Sequence, residues 1–247
     1  MTGFLIGFLL SALIGVVAYQ KKSLSESGVI AAMVIGTLFY GFSGWESYLI
    51  LMVFFVLSSF ISKFNPDRIS SRRNYIQVLS NALVSLFFAF LYYLTNQMSY
   101  LVISIASIAI SASDTWSSEI GRLSKNEPRH IFTFKPINRG LSGGVSLLGF
   151  LASLLASGVF SLLTLLVSRN PNHIIGVFLA AFVGSIVDSM LGSIQVKYKE
   201  LSTGLITEKQ AAHTVYYSGF TWLSNNLVNF SANMITSVLL LVFLLTQ

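Results

Sequence analysis

The 247-residue chain contains no cysteine, which excludes disulfides, thiolate catalysis and cysteine-ligated zinc or iron–sulfur centres. Histidine is nearly as scarce. His130, His173 and His213 are scattered without ligand spacing, which argues against a histidine-based metal or acid–base site. Charge is the third shortage: Asp, Glu, Lys and Arg make up 10% of the residues, against roughly 25% in an average soluble domain. Hydrophobic residues make up 54%.

What is there is a series of apolar runs, at about 3–19, 28–42, 47–62, 75–94, 99–120, 143–167, 173–196 and 225–246. Each approaches the ~20 residues a membrane-crossing helix needs. Lipid offers no partner for an unpaired backbone group, and the runs lack the strict alternation of a barrel. The expected fold is therefore all-α, a polytopic bundle of about eight spans forming one integral membrane domain over residues 1–247. The first run has no charge before it and Lys21 and Lys22 after it. That order is the reverse of a secretory signal, so it reads as a retained span.

The cations fall on alternate loops. Lys21 and Lys22 lie in the first loop, and Lys63, Arg68, Arg72 and Arg73 in the third. Arg122, Lys125, Arg129, Lys135 and Arg139 occupy the fifth, and Lys197, Lys199 and Lys209 the seventh, while the even loops hold only Arg169. The positive-inside rule makes the odd loops cytoplasmic and puts both termini outside. The positive charge has a plainer use as well, in holding anionic headgroups.

Against this background two acids stand out. Asp114 and Asp188 lie inside apolar runs, where an isolated carboxylate costs on the order of 3 kcal/mol and needs a partner, a cavity or an ion. They sit in related stretches, Ser111-Ala-Ser-Asp114-Thr115 and Ser185-Ile-Val-Asp188-Ser189, on spans that run in the same direction. Asp114 precedes Arg122 by eight residues and Asp188 precedes Lys197 by nine, placing both at similar depth, roughly 12 Å from the charged ends. Brought together they form a hard-cation site. Magnesium fits, because it takes one or two carboxylates and shares its other positions with water and phosphate oxygens. Thr115, Ser117, Ser118 and Ser189 offer hydroxyls nearby. Polar residues also glue helices together; that reading suits the serines and threonines and suits an ionised Asp poorly. Glu119, five residues beyond Asp114, either reaches the same site from a bent helix end or complements Arg122.

Three further groups are candidates for binding substrate. Lys135, Asn138, Arg139, Ser142, Gly143 and Gly144 belong to the segment that opens the sixth helix. Glycines and free amides at a helix start admit an anion, although the pattern is not a Walker A sequence, and a tight turn with close packing is an equal reading. Asn225, Asn226 and Asn229 open the last run, with more amides on one face than a cap requires. Arg72, Gln77 and Asn81 enter the fourth run, where the amides line a cavity or the arginine snorkels to headgroups.

The stretches Ser113-Asp-Thr-Trp-Ser-Ser-Glu-Ile-Gly121, Gly143-Gly-Val-Ser146, Gly184-Ser-Ile-Val-Asp-Ser-Met-Leu-Gly192 with Gln195, and Asn225-Asn-Leu-Val-Asn229 resemble the integral membrane family of plant phytyl-phosphate kinases. Animal transmembrane protein nineteen belongs to the same family. The likeness covers nearly the whole chain. It implies phosphorylation of an isoprenyl monophosphate to its diphosphate, with CTP or another nucleoside triphosphate as donor and magnesium as the metal.

On this reading Asp114 and Asp188 hold the metal and Glu119 and the three asparagines make secondary contacts. Lys135, Arg139 and Arg72 neutralise donor phosphates. The chain is expected in the plasma membrane of a prokaryote with its site facing the cytoplasm. Its partners are a nucleotide, an isoprenoid lipid phosphate and membrane lipids; no nucleic acid is expected, and homo-oligomers are open. Rival readings are a CTP-dependent cytidylyltransferase, a lipid-alcohol kinase, and a cation- or proton-coupled transporter with midplane carboxylates.

Overall fold

Gly44 governs how the longest helix of this protein is understood. The computed structural model describes residues 1–65 and 72–246, so Arg68 lies outside the described residues. Seven helices in it are long and apolar enough to cross a membrane. They are α1 (Thr2–Gln20), α2 (Glu26–Ile61), α3 (Tyr75–Thr95), α4 (Met98–Gly121), α5 (Leu147–Leu163), α6 (Pro171–Ser193) and α7 (Asn225–Leu245). The fold is all-α within the bundle.

The span α2 is two helices joined at Gly44, whose φ of 82° and ψ of −177° are non-helical and in practice open only to glycine. A straight helix would hold Gly36 and Tyr48 about 18 Å apart along its axis. Instead a Cβ on Gly36 would lie 3.4 Å from the Tyr48 ring, and the Tyr40 and Tyr48 rings are 5.3 Å apart. The chain turns back at Gly44, and residues 26–43 and 45–61 form an antiparallel pair. Each half is roughly 25 Å long or slightly more, close to the thickness of a bilayer core. The seven elements thus supply eight crossings, matching the two separate runs expected there.

Small residues set how closely the helices approach. Gly7, Ser11, Gly15 and Ala18 form the buried stripe of α1, and Gly7 and Gly15 meet Tyr40 and Val29 of α2. The opposite face of α1, including Leu9, Leu13 and Val16, is exposed, as a lipid-facing surface should be. Such small-residue contacts hold membrane helices together where the hydrophobic effect cannot.

At the centre stands α4, buried at every position from Leu101 to Ser113. Its serines pair with neighbouring helices: Ser113 with Ser153 of α5 (2.8 Å), and Ser104 with the Ser85 carbonyl of α3 (2.8 Å). Ser153 in turn meets Ser185 of α6 at 2.7 Å. These hydroxyls join α3, α4, α5 and α6, whereas Thr115 and Ser118 bond back to carbonyls of their own helix.

The four basic loops converge on one end. Arg73 exchanges backbone bonds with Ser23 and Ser25, and its guanidinium donates to Ser62 (3.4 Å), joining the first and third loops. Gly121 packs against Ser146 and Gly149, and Ser142 binds Gln195 and Glu208, joining the fifth and seventh.

Short strands occur in the long loops, a feature not anticipated from their sequences. β1 (Arg129–His130) pairs antiparallel with β2 (Gly144–Val145). β3 (Lys197–Glu200) is flanked by β4 (Ile206–Thr207) and β5 (Thr214–Ser218). Strands of two to five residues carry too little alternation to be read from sequence.

Candidate functional site

Asp114 and Asp188 meet because two parallel helices touch one turn earlier. A Cβ on Gly184 of α6 would lie 2.6 Å from Ile110 of α4, so the missing side chain allows close approach. Four residues further along each helix come Asp114 and Asp188, whose carboxyl groups are within hydrogen-bond reach of each other. Asp188 is buried.

A small cavity surrounds the pair, lined also by Asn81 of α3, Ile110 and Ser111 of α4, and Asn229, Ala232 and Asn233 of α7. In the orientation that satisfies both of its polar atoms, the Asn229 amide donates to Asp188 Oδ2 (3.0 Å) and to the Asn225 carbonyl (3.0 Å). Asn233 donates to Ser111 Oγ (2.9 Å) and to the Ser107 carbonyl (3.0 Å), and Ser111 Oγ donates to the Asn81 carbonyl (2.8 Å). Four helices, α3, α4, α6 and α7, are thereby fixed around one carboxylate pair. The spacing of Asn225, Asn229 and Asn233 puts three amides on one face of α7. Asn233 was missed because it lies inside an otherwise apolar run; its signal was the repeated interval of four. Asn226 makes no side-chain hydrogen bond among the described residues.

Glu119 sits away from the cavity floor. It accepts from Ser62 Oγ (2.8 Å) and Asn65 Nδ2 (2.6 Å), linking α4 to the end of α2, while its charge still acts on Asp114. Neither sequence alternative, direct contact with the aspartates or pairing with Arg122, describes this arrangement.

The glycine segment does not start a helix. Helix α5 begins at Leu147 and is capped by Ser146, which accepts from the Gly149 amide (3.1 Å). Gly144 belongs to β2. Gly143, at φ +82°, presses on the end of α6, where a Cβ would lie 2.5 Å from the Ser193 backbone. Close packing is what these glycines do here.

Ser142 instead occupies the junction. Its amide and hydroxyl both donate to Glu208, and its hydroxyl also approaches Asn225 Oδ1 (3.4 Å) and receives a bond from the buried Gln195 (3.0 Å). Glu208, in the loop after β4, was not foreseen, since nothing in a loop sequence tells which helix end it will reach. Its charge acts on Asp188 and on Lys197.

The cations expected to meet phosphate are placed differently. Arg139 donates to the Lys125 carbonyl (2.7 Å). Arg72 lies over the Tyr19 ring, 5.0 Å from its centre, a cation–π contact at the end of α1. Lys135 and Asn138 are exposed. Gln77 completes a capping box with Asn74 at the start of α3. The buried cation beside Glu208 is Lys197, 8% exposed, with Nζ on the Ser193 carbonyl (2.7 Å). Burial pushes its ammonium below the usual lysine value, and Glu208 opposes that shift.

Among the described residues no three His, Asp or Glu side chains form a closed metal cage. Two touching carboxylates with amide and hydroxyl oxygens around them fit a magnesium ion, which keeps waters and takes phosphate oxygens as its remaining ligands.

The fold and site define a polytopic helical membrane protein with a carboxylate pair, Asp188 buried and Asp114 half-buried, toward its basic end. The model of the integral membrane protein family DUF92 matches residues 9–237, and the chain belongs to that family. It is 32% identical to Protein PGR of Arabidopsis thaliana over 267 aligned positions, covering 94% of this chain and 92% of that protein. An uncharacterised membrane protein of Methanocaldococcus jannaschii is 27% identical over 76% of this chain and 82% of its own length. Protein VTE6, chloroplastic, of Arabidopsis thaliana is 27% identical over 90% of this chain and 66% of its own. No solved structure gives a significant match.

Proposed function

We propose that this protein is a magnesium-dependent membrane kinase that transfers a phosphoryl group from CTP, or another nucleoside triphosphate, to an isoprenyl monophosphate at the cytoplasmic face of a prokaryotic plasma membrane. The observation that carries the proposal is the meeting of Asp114 and Asp188 in one cavity, with Glu208 of the basic end near enough for its charge to act on Asp188. The reaction itself comes from the resemblance of the two aspartate motifs to those of the plant phytyl-phosphate kinases.

Phosphoryl transfer asks a protein for positioning and charge neutralisation more than for covalent help. Asp114 and Asp188 hold the metal, which when bound supplies charge neutralisation to the donor phosphates. Asn229 orients Asp188 through its 3.0 Å bond, and Asn233 and Ser111 keep the cavity floor rigid. Ser142 holds Glu208 in place, and Lys197 beside Glu208 adds positive charge for the donor phosphates. The acceptor monophosphate already carries a nucleophilic oxygen, so no general base is required.

The test incubates purified protein with magnesium, labelled CTP or ATP, and a panel of prenyl monophosphates. The expected products are prenyl diphosphate and nucleoside diphosphate; release of pyrophosphate with a cytidylyl lipid would instead identify a cytidylyltransferase. Asp114→Asn and Asp188→Asn should each lower transfer about a hundredfold or more, as loss of one preorganised electrostatic group does. No transfer from any donor, with wild type indistinguishable from both variants, overturns the kinase reading.

A further inference from the structure

A second and much larger cavity lies between α1, both halves of α2 and α3. It encloses about 70 Å³, against about 10 Å³ for the cavity of the aspartates, and is partly open to its surroundings. Its walls are apolar, among them Ile14, Ile35, Leu51, Phe54 and Phe55. Away from the basic end, the Ser11 and Tyr48 hydroxyls bond to each other at 3.1 Å, so the polar atoms there are mutually satisfied. Toward the basic end it reaches Arg73, Gln77 and Asn81.

Asn81 lines both this cavity and the one that holds Asp114 and Asp188. An apolar compartment and a carboxylate site are thus separated by one residue. Arg73 adds positive charge where the apolar walls end, and its backbone is clamped by Ser23 and Ser25. Measured along α2 from Tyr48 to Phe55, the apolar wall is about 10 Å deep, and it lies within spans that lipid surrounds. Water gains nothing in such a space, whereas a hydrocarbon chain entering it loses no hydrogen bonds and gains contact with ring and branched side chains.

We propose that this cavity holds the hydrocarbon chain of the isoprenyl monophosphate, with the phosphate drawn to the Arg73 end and turned past Asn81 toward the aspartates. The inference rests on the proposed kinase reading for the identity of the lipid and on the shared Asn81 for its direction. The two halves of α2, folded back at Gly44, therefore serve the acceptor, while α4, α6 and α7 serve the metal and donor.

A photoreactive geranylgeranyl monophosphate analogue, irradiated with the full-length protein in lipid nanodiscs and mapped by mass spectrometry, tests this without turnover. Labels are expected on Leu51, Phe55 and Val78, and excess geranylgeranyl monophosphate should suppress them while a phospholipid of equal chain length does not. Labels confined to lipid-facing Leu9, Leu13 and Leu155, or suppressed equally by the phospholipid, overturn the proposal. Filling the cavity with Ala32→Phe should weaken binding of geranylgeranyl monophosphate about tenfold relative to dimethylallyl monophosphate. An unchanged ratio in a variant that melts as wild type also overturns it. If cavity labelling is seen and no donor transfers phosphate, the chain site stands and the kinase reading falls; transfer with labels elsewhere gives the reverse.

Discussion

Gly184 shows how much of the site hangs on a missing side chain. A Cβ there would lie 2.6 and 2.9 Å from Ile110 side-chain atoms, and Ile110 is itself buried. Gly184→Ala should therefore force α4 and α6 apart or twist Ile110, at a cost of about 1–3 kcal/mol as overpacking usually exacts. The displacement would act one turn away, on the spacing of Asp114 and Asp188. Thermal unfolding in detergent should show the loss, and Ile110→Ala in the same chain should restore part of it, a positive coupling that independent sites would not give. Additive effects would mean that the contact does not limit the approach. The aspartates were legible in the sequence because a carboxylate in an apolar run is too expensive to be incidental. Glu208 and Lys197 were not distinguishable from other loop charges, since only tertiary folding buries one and brings the other to Ser142.

Among the elements, α2 carries the sharpest local requirement. Gly44 combines φ +82° with ψ −177°, a conformation that costs a residue with a Cβ about 1–3 kcal/mol. The turn lies at the far end of the bundle from the Ser25 and Ser62 contacts with Arg73, and so from the basic loops. Gly44→Ala is expected to lower the unfolding midpoint while leaving the Asp114 and Asp188 cavity, built by α3, α4, α6 and α7, in place. A midpoint equal to wild type would show that the turn tolerates a side chain. The two runs flanking Gly44 were legible as separate spans because Ser43, Gly44 and Glu46 interrupt the apolar sequence. The helix start expected at Gly143 was not correct because a glycine pair signals close approach as readily as it signals an anion cradle, and here Ser193 occupies the space.

At the scale of the whole molecule, the question is which side of the membrane the carboxylates face. Contacts among the first, third, fifth and seventh loops gather the described cations of those loops at one end of the bundle. The sequence predicted that clustering from charge alone, since eight crossings put every odd loop on the same side. The positive-inside rule predicts that this end faces the cytoplasm, which the proposed use of a nucleotide requires. The absence of cysteine makes the test direct, because any introduced thiol is the sole target for a maleimide. Asn126→Cys and Ser202→Cys place a thiol on exposed positions of the basic end, and Gln97→Cys on the exposed turn between α3 and α4 at the other. In intact cells a membrane-impermeant maleimide should label Gln97→Cys at once, and the other two only after permeabilisation. The reverse pattern would expose Asp114 and Asp188 to the outer compartment, where cytoplasmic CTP cannot reach them. The donor would then have to be abandoned even if the metal site and the acceptor cavity were both correct.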